Sequence, residues 1–340
     1  MSDLPKIDVI IPAYKAQNTI IRTLSSIAEQ EIVEDLEVTI VNDADGIGYK
    51  EFIDMFSPYM KIKEITLEEN AGPGEARQKG VNETNNPIIT FIDADDTFSG
   101  RFALKIARLN MLKDPRIVGV FGHFLEDQQQ AYLEHGGMDP WMFGKLYRRD
   151  FINKYKVHFP PENSRSNEDG FWNTLCKLYQ NENEQIIEIP DILYYWCFKE
   201  DSITRKDNAN YSYNGSFVGF TANQINALKE AEKVVPFNGQ VMQQKVVMLC
   251  NLYEYFLETQ RSDPRYEEQN WEWCRKYYRE IYREIKDKIS DEILSDCYNE
   301  VMRNCYLGNK MFRIIPRIGF KEFIEKLETE CQEEDKKKKK

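Results

Sequence analysis

The chain has 340 residues with 41% hydrophobic and 13% aromatic content, which excludes a disordered polypeptide and leaves material for a packed core. No apolar run approaches the roughly 20 residues that cross a bilayer, and the opening MSDLPKIDVIIPAY lacks the basic region, apolar core and cleavage site of a signal peptide. Charge is lopsided: residues 1–100 carry 19 acidic and 8 basic side chains, the remainder 38 and 37, an acidity that argues against nonspecific nucleic-acid binding.

In chain order, IDVIIPAY (7–14) is a short apolar run ending in proline and predicts a buried strand. NTIIRTLSSIAEQ (18–30) sets Ile20, Ile21, Leu24 and Ile27 at helical spacing, with Asn18 or Thr19 as N-cap. EVTIVND (37–43) predicts a second strand, GIGYKEFIDMFS (46–57) a helix and KIKEITLEE (61–69) a third strand. PGEARQKGVNET (73–84) is a helix opened by Pro73, and PIITFIDAD (87–95) is a fourth strand. This alternation predicts βαβ units and a mostly parallel sheet covered on both faces. Ligands of such sheets bind beyond the carboxyl ends of the strands.

Further on, RIVGVFGHF (116–124) and ILYYWCF (192–198) predict strands, while GKLYRRDFINKY (144–155) and EDGFWNTLCKLYQ (168–180) predict helices. Beyond residue 209 the strand signal fades. Segments 240–260, 270–289 and 290–308 predict long amphipathic helices, the last between Ser290 as N-cap and Gly308 as stop. The chain therefore divides into an α/β domain over 1–208 and a helical domain over 209–335. A basic tail, 336–340, is expected to be disordered. Seven cysteines, an odd number without metal-site spacing, read as reduced thiols of a cytoplasmic protein.

The segment FIDADD places Asp93, Asp95 and Asp96 behind an apolar strand. Unpaired buried carboxylates are costly. Two aspartates one residue apart on a turn can instead share a divalent cation with phosphate oxygens. The plainer alternative is a solvated acidic loop or a helix cap. Asp43 repeats the arrangement after the second strand, as an Asx-turn residue or as an acceptor for a nucleobase or ribose. Gly72 and Gly74 permit close backbone approach, and Arg77 sits where a helix start could meet phosphate. Glu168 and Asp169 open a predicted helix, either complementing its dipole or supplying a general base.

Taken in order, these segments resemble glycosyltransferase family 2, with its GT-A fold, over about residues 1–205. VIIPAY is similar to the opening strand of that family, and IVNDAD to its V-D/N-D-G-S-x-D motif. ENAGPGEARQKG is similar to its N-x-G-x-x-x-A-R-N-x-G segment, FIDADD to its D-x-D and NEDGFW to its E-D motif. LYYWCFKEDSITR resembles its closing stretch. NDADGIG departs from the pattern in lacking Gly-Ser, and Gln78 stands where Asn is common.

The resemblance implies an inverting, D-x-D metal-dependent enzyme using a nucleoside-diphosphate sugar, with UDP as the default nucleotide and Mn²⁺ or Mg²⁺ as the ion. Pro12 and Tyr14 would line the base pocket, and Asp43 would accept from the base. Arg77 would lie beside the base and diphosphate. Asp93 would touch the ribose, and Asp95, with Asp93 and Asp96, would hold the metal. Asp169 would be the catalytic base with Glu168 as its neighbour. Ser202, Thr204 and Arg205 would close over the diphosphate. Gly136, Gly137 and Trp141 would belong to the acceptor side. The implied acceptor is a cell-surface glycan or lipid-linked saccharide; the alternatives are modified bases of phage DNA, and a binding module without activity.

His123, His135 and His158 show no ligand spacing and read as structural or acceptor-side residues. Trp271, Tyr278, Ile281 and Ile285 form a stripe expected to pack between helices. Arg313, Arg317 and Lys321 recur every four residues, as a solvated helix face or as a surface for anions.

Overall fold

A computed structural model of the chain describes residues 4–161, 167–199, 213–236, 238–262, 267–283, 285–296, 298–299 and 318–338. It divides into two units, Met1–Tyr211 and Ser212–Lys340.

In the first unit, the apolar run Ile7–Ala13 forms strand β1, with Ile7, Val9, Ile10 and Ile11 all fully buried. A strand covered on both faces needs this continuous apolar sequence rather than alternation. β2 (Leu36–Asn42) and β4 (Ile88–Phe91) flank β1 in parallel, and β3 (Lys61–Thr66) extends the sheet beyond β2. Lys61 and Lys63 of β3 are exposed, which protects an edge, whereas Glu64 accepts from Asn42 Nδ2 and Tyr49 N–H.

Helices α1 (Ile20–Ala28), α2 (Lys50–Phe56) and α3 (Pro73–Asn82) make the crossovers. Helix α1 buries Ile20, Leu24 and Ile27 but leaves Ile21 exposed. Helix α3 comes so close to the sheet that a Cβ on Gly80 would lie 2.3 Å from Ile10 Cγ2.

The sheet continues past β4 through β8 (Lys145–Arg148), β6 (Ile117–Asp127), β9 (Gln185–Trp196) and the short β5 (Thr97–Phe98), with β7 (Tyr132–His135) paired to β6. The pairs β4–β8, β6–β8, β6–β7 and β5–β9 are antiparallel and β6–β9 is parallel. The sheet is thus parallel through the four strands that begin the chain and mixed beyond them. Helices α4 (Ala103–Leu112), α5 (Arg149–Tyr155) and α6 (Glu168–Tyr179) complete this unit.

Several segments depart from the sequence reading. Residues 145–148 were expected to open a helix and instead form β8, because Leu146 and Tyr147 fill a gap between β4 and β6 and are buried there. Tertiary pairing overrides local helical preference. The strand expected at 192–198 begins seven residues earlier, at Gln185, and ends at Trp196. β5, β7 and α4 carry no clear sequence signal.

At the end of the sheet away from the aspartates, Arg149 pairs with Asp8 at 2.7 Å. Arg149 also donates to Asn86 O, Val81 O and Thr84 Oγ1, and Asp8 accepts from Asn86 N and Nδ2. A buried ion pair is tolerable when its remaining hydrogen-bonding positions are filled in this way.

The second unit contains α7 (Tyr213–Ala231), α8 (Gly239–Ser262), α9 (Glu267–Ile281) and a last helix, Phe320–Lys338. Tyr278, Ile281 and Ile285 are buried as the stripe predicts, and Trp271 stacks edge-on to Phe256 and Phe323. The helix expected over 270–289 stops at Ile281 and gives way to a single 3-10 turn, Lys286–Lys288. Lys336, Lys337 and Lys338 form the last turn of a helix rather than a disordered tail. Cations there complement the helix dipole. Arg313, Arg317 and most of 290–308 lie outside the described residues. Among the described residues no helix is long and apolar enough to cross a membrane.

Candidate active site

The chain leaves β4 at Phe91 and turns over Asp93–Asp96, where Asp96 N–H donates to Asp93 O at 3.1 Å. The turn is pinned from three sides. The Tyr194 hydroxyl accepts from Asp93 N–H at 3.2 Å and donates to Asp96 Oδ2 at 2.7 Å. Thr23 Oγ1 donates to Asp96 O at 2.8 Å, and the Arg22 guanidinium donates to Asp95 O.

These contacts separate the three aspartates. Asp96 is 1% exposed, and its second oxygen accepts from Cys197 N–H at 2.8 Å. Burial, then the charges of Asp95 and Asp93, push its pKa well above the ordinary carboxylate value. Both oxygens of Asp96 anchor β9 to the turn, and the expectation that Asp96 caps a helix is corrected, because the next helix starts only at Ala103 with Phe102 before it. Asp93 and Asp95 remain half-exposed, at 31% and 32% of their side chains.

Arg77, on α3, does not reach outward toward phosphate. It is buried, with Nη2 2.6 Å from Asp93 Oδ1 and Nη1 paired to Glu168 Oε1. Burial opposes its charge, but Asp93, Glu168 and Asp169 outweigh it and raise the pKa further. One guanidinium thus ties the end of β4 to the first turn of α6, a geometry that suits its planar fork.

Glu168 is buried, and burial pushes its pKa up to about 7 against the pull of Arg77. Asp169 beside it is partly exposed and accepts from Gly170 N–H at 3.1 Å. Burial also raises its pKa, with Arg77 and Lys145 opposing and Asp93 assisting. A carboxylate raised in this way is a better proton acceptor near neutral pH.

On the other side, Pro12 is half-buried and Tyr14 exposed where β1 ends, with Lys15 Nζ 5.0 Å from the Tyr14 ring centre. Asp43 is buried and turned into the loop before α3: it accepts from Ala71 N–H at 2.7 Å, Gly72 N–H at 2.9 Å and Asn70 Nδ2 at 3.0 Å. Asp45 is likewise engaged, with Ile47 N–H and Gly48 N–H on one oxygen and Gln17 Nε2 on the other. Both aspartates hold the loops that follow β2 and precede α3 through these bonds.

Gly137 is buried against β6, where a Cβ would lie 2.5 Å from Phe121 O. Trp141 stands in a cluster of rings, 5.7 Å from Phe124, 5.4 Å from His135 and 6.2 Å from Trp196. The backbone of this loop is held from beneath. Lys145 Nζ donates to Asp139 O and Trp141 O, Lys177 Nζ to Met138 O, and Asn173 Nδ2 to Pro140 O at 2.7 Å. Asn173 and Lys177 lie on α6, the helix that begins with Glu168 and Asp169. Ser202, Thr204 and Arg205 lie outside the described residues.

Sequence reading missed Arg22, Lys145, Asn173, Tyr194 and Lys199. Lys199 lay within the closing segment without a role, and its Nζ sits 3.1 Å from Asp95 Oδ2. Among the described residues no three His, Cys, Asp or Glu side chains gather as a complete metal site. Asp93 and Asp95 nonetheless fit part of a divalent cation's shell. Each keeps one oxygen without a hydrogen-bond partner among the described residues, and an ammonium already stands in on Asp95. Hard carboxylate oxygens plus phosphate oxygens would make the shell that Mg²⁺ or Mn²⁺ prefers.

Residues 8–168 match the family described as Glycosyl transferase family 2. This segment belongs to that family. The chain is 22% identical over 224 residues to a protein named putative glycosyltransferase EpsH of Bacillus subtilis, covering 60% of this chain and 64% of that one. It is 37% identical over 233 residues to glycosyltransferase GlyA of Streptococcus pneumoniae, covering 59% of this chain but only 32% of the relative. The chain thus spans less than two thirds of the length of either. Among solved structures, S. aureus TarS 1-349 in complex with UDP-GlcNAc superposes with a TM-score of 0.67 at 15% identity, covering 90% of this chain and 93% of that one. A mannosyltransferase from Pyrobaculum calidifontis in complex with GDP-Man and Mn²⁺ gives 0.54 at 13% identity, covering 91% and 89%. These likenesses establish the GT-A-like fold, and the family match extends over residues 8–168.

Proposed function

We propose that the chain transfers a sugar from a nucleoside-diphosphate sugar, UDP being the favoured nucleotide, to an acceptor hydroxyl with inversion at the anomeric carbon. The acceptor is a glycan or a lipid-linked saccharide. The observation that carries this reading is the bridge through Arg77. It ties Asp93, half-exposed like Asp95 in the same turn, to Glu168, whose neighbour Asp169 is partly exposed and has a raised pKa.

In this reading Asp93 and Asp95 hold the divalent ion, and Asp93 also faces the ribose. Bound there, the ion would offset the negative charge that builds on the leaving diphosphate. Pro12 and Tyr14 line the base. Asp169 accepts the proton of the attacking hydroxyl from the face opposite the diphosphate, which inverts the anomeric centre. Glu168 and Arg77 set the position of Asp169 and Asp93 without touching substrate. Trp141 offers a ring face to the acceptor sugar. Support for the donor class comes from the bound UDP-GlcNAc and GDP-Man of the two structural neighbours.

The test uses a panel of sugar nucleotides with Mn²⁺, following nucleoside diphosphate release with and without glycan acceptors. Asp169→Asn should lower transfer by about 10²–10⁴-fold while calorimetry shows unchanged donor binding. Donor binding lost along with transfer would assign Asp169 a structural role instead.

A further inference from the structure

Lys199 is the one ammonium seen on a proposed metal ligand among the described residues. It follows the last residues of β9, and its Nζ lies 3.1 Å from Asp95 Oδ2. Neither side chain is sealed: Lys199 is 38% exposed and Asp95 32%. The pair therefore stands in partly solvated surroundings, where an ion pair is weak and exchangeable.

The backbone beneath the pair is fixed by other residues. Arg22 donates to Asp95 O, Thr23 to Asp96 O, and Cys197 N–H holds Asp96. Both Asp95 and the end of β9 are thus anchored two or fewer residues from the pair without help from the Lys199–Asp95 contact. A contact that contributes so little to local structure, yet places a positive charge on a carboxylate that needs one, acts chiefly through charge.

We propose that Lys199 is a resident counter-cation of the site, which occupies Asp95 while the divalent ion is away and must be displaced when that ion binds. The inference rests on the reading of Asp95 as a metal ligand. Three carboxyl groups meet in the 93–96 turn, and of these Arg77 pairs only with Asp93. Lys199 supplies the positive charge that Asp95 would otherwise lack. Exchange of one ammonium for a divalent ion then makes the bare ion bind more weakly than two free carboxylates would allow. The displaced ammonium is left at the edge of the same turn, where the added charge of a diphosphate can receive it.

The experiment measures Mn²⁺ alone, by loss of the free-ion electron paramagnetic resonance signal, on the full chain without nucleotide. Lys199→Met should bind Mn²⁺ roughly two- to fivefold more tightly than wild type, the range expected for release of a half-exposed ion pair. Lys199→Arg, which keeps the charge, should stay near wild type. Equal or weaker affinity in Lys199→Met overturns the exchange, as does Lys199→Arg behaving like Lys199→Met. Asp95→Asn separates the two levels of the argument. Mn²⁺ bound equally by wild type and Asp95→Asn overturns the metal reading itself. Mn²⁺ binding that requires Asp95 but ignores Lys199 overturns only the exchange, and absence of binding throughout overturns both.

Discussion

Arg77 and Glu168 show how one buried pair can serve two ends of a site. Both terminal nitrogens of Arg77 are spent, one on Asp93 and one on Glu168. Glu168 carries the consequence in its titration. Its folded pKa lies at about 7, above the ordinary 4.5, because burial outweighs the guanidinium. The folded state therefore holds a proton that the unfolded chain releases. Stability is greatest below about pH 4.5 as far as this group is concerned, and is lost as pH rises through about 7. Glu168→Gln, which cannot ionise, should show a shallower fall in melting temperature between pH 5 and pH 8 than wild type. Some slope should remain, since burial raises Asp169 and Asp96 in the same direction. Identical slopes in variant and wild type would show that Glu168 stays ionised across this range.

Helix α6 joins the two halves of the proposed chemistry. Its first turn carries Glu168 and Asp169, and its next turns grip the loop that bears Trp141. Asn173 is 1% exposed; it donates to Pro140 O and accepts from the Tyr147 hydroxyl at 2.7 Å. Asn173→Ala would take from that hydroxyl its shortest hydrogen bond and from that carbonyl its amide donor, at a cost of about 1–3 kcal/mol, read by denaturant unfolding. Donor affinity should hardly change, because Asn173 touches the acceptor-side loop and not the turn of Asp93 and Asp95. The strand and helix order of 7–95 was legible from sequence because each element there obeys one simple period. Tyr147 and Leu146 show why the middle was not. Their strand exists only because β4 and β6, separated by some 25 residues in the chain, both need a partner. The site was legible in its residue types and misread in its partners. Asp93, Asp169, Glu168 and Arg77 come together, but nothing in their spacing says that Arg77 faces inward or that Tyr194 claims Asp96.

At the scale of the whole chain, charge discriminates among acceptors. The first 100 residues, which carry β1 to β4 and the proposed donor site, hold 19 acidic against 8 basic side chains. Two of those basic groups, Arg77 and Arg22, are already bound to Asp93 and to Asp95 O. A donor diphosphate can enter such a field when a divalent ion accompanies it. A polyanion of many phosphates has no such help, since its affinity comes from releasing counterions to clusters of Lys and Arg. The remaining residues are nearly balanced, 37 basic against 38 acidic, so they add little attraction over long range. The chain should therefore fail to retard unmodified or hydroxymethylated duplex DNA in a mobility-shift experiment at low salt, with micromolar protein. Tight, salt-sensitive retardation would instead identify a basic surface among residues 200–340 and move the acceptor from saccharides to nucleic acid. A sugar acceptor makes the opposite demand. Transfer to it should lose little between 50 and 200 mM salt, because the ring face proposed at Trp141 would bind a neutral pyranose through contact area rather than charge.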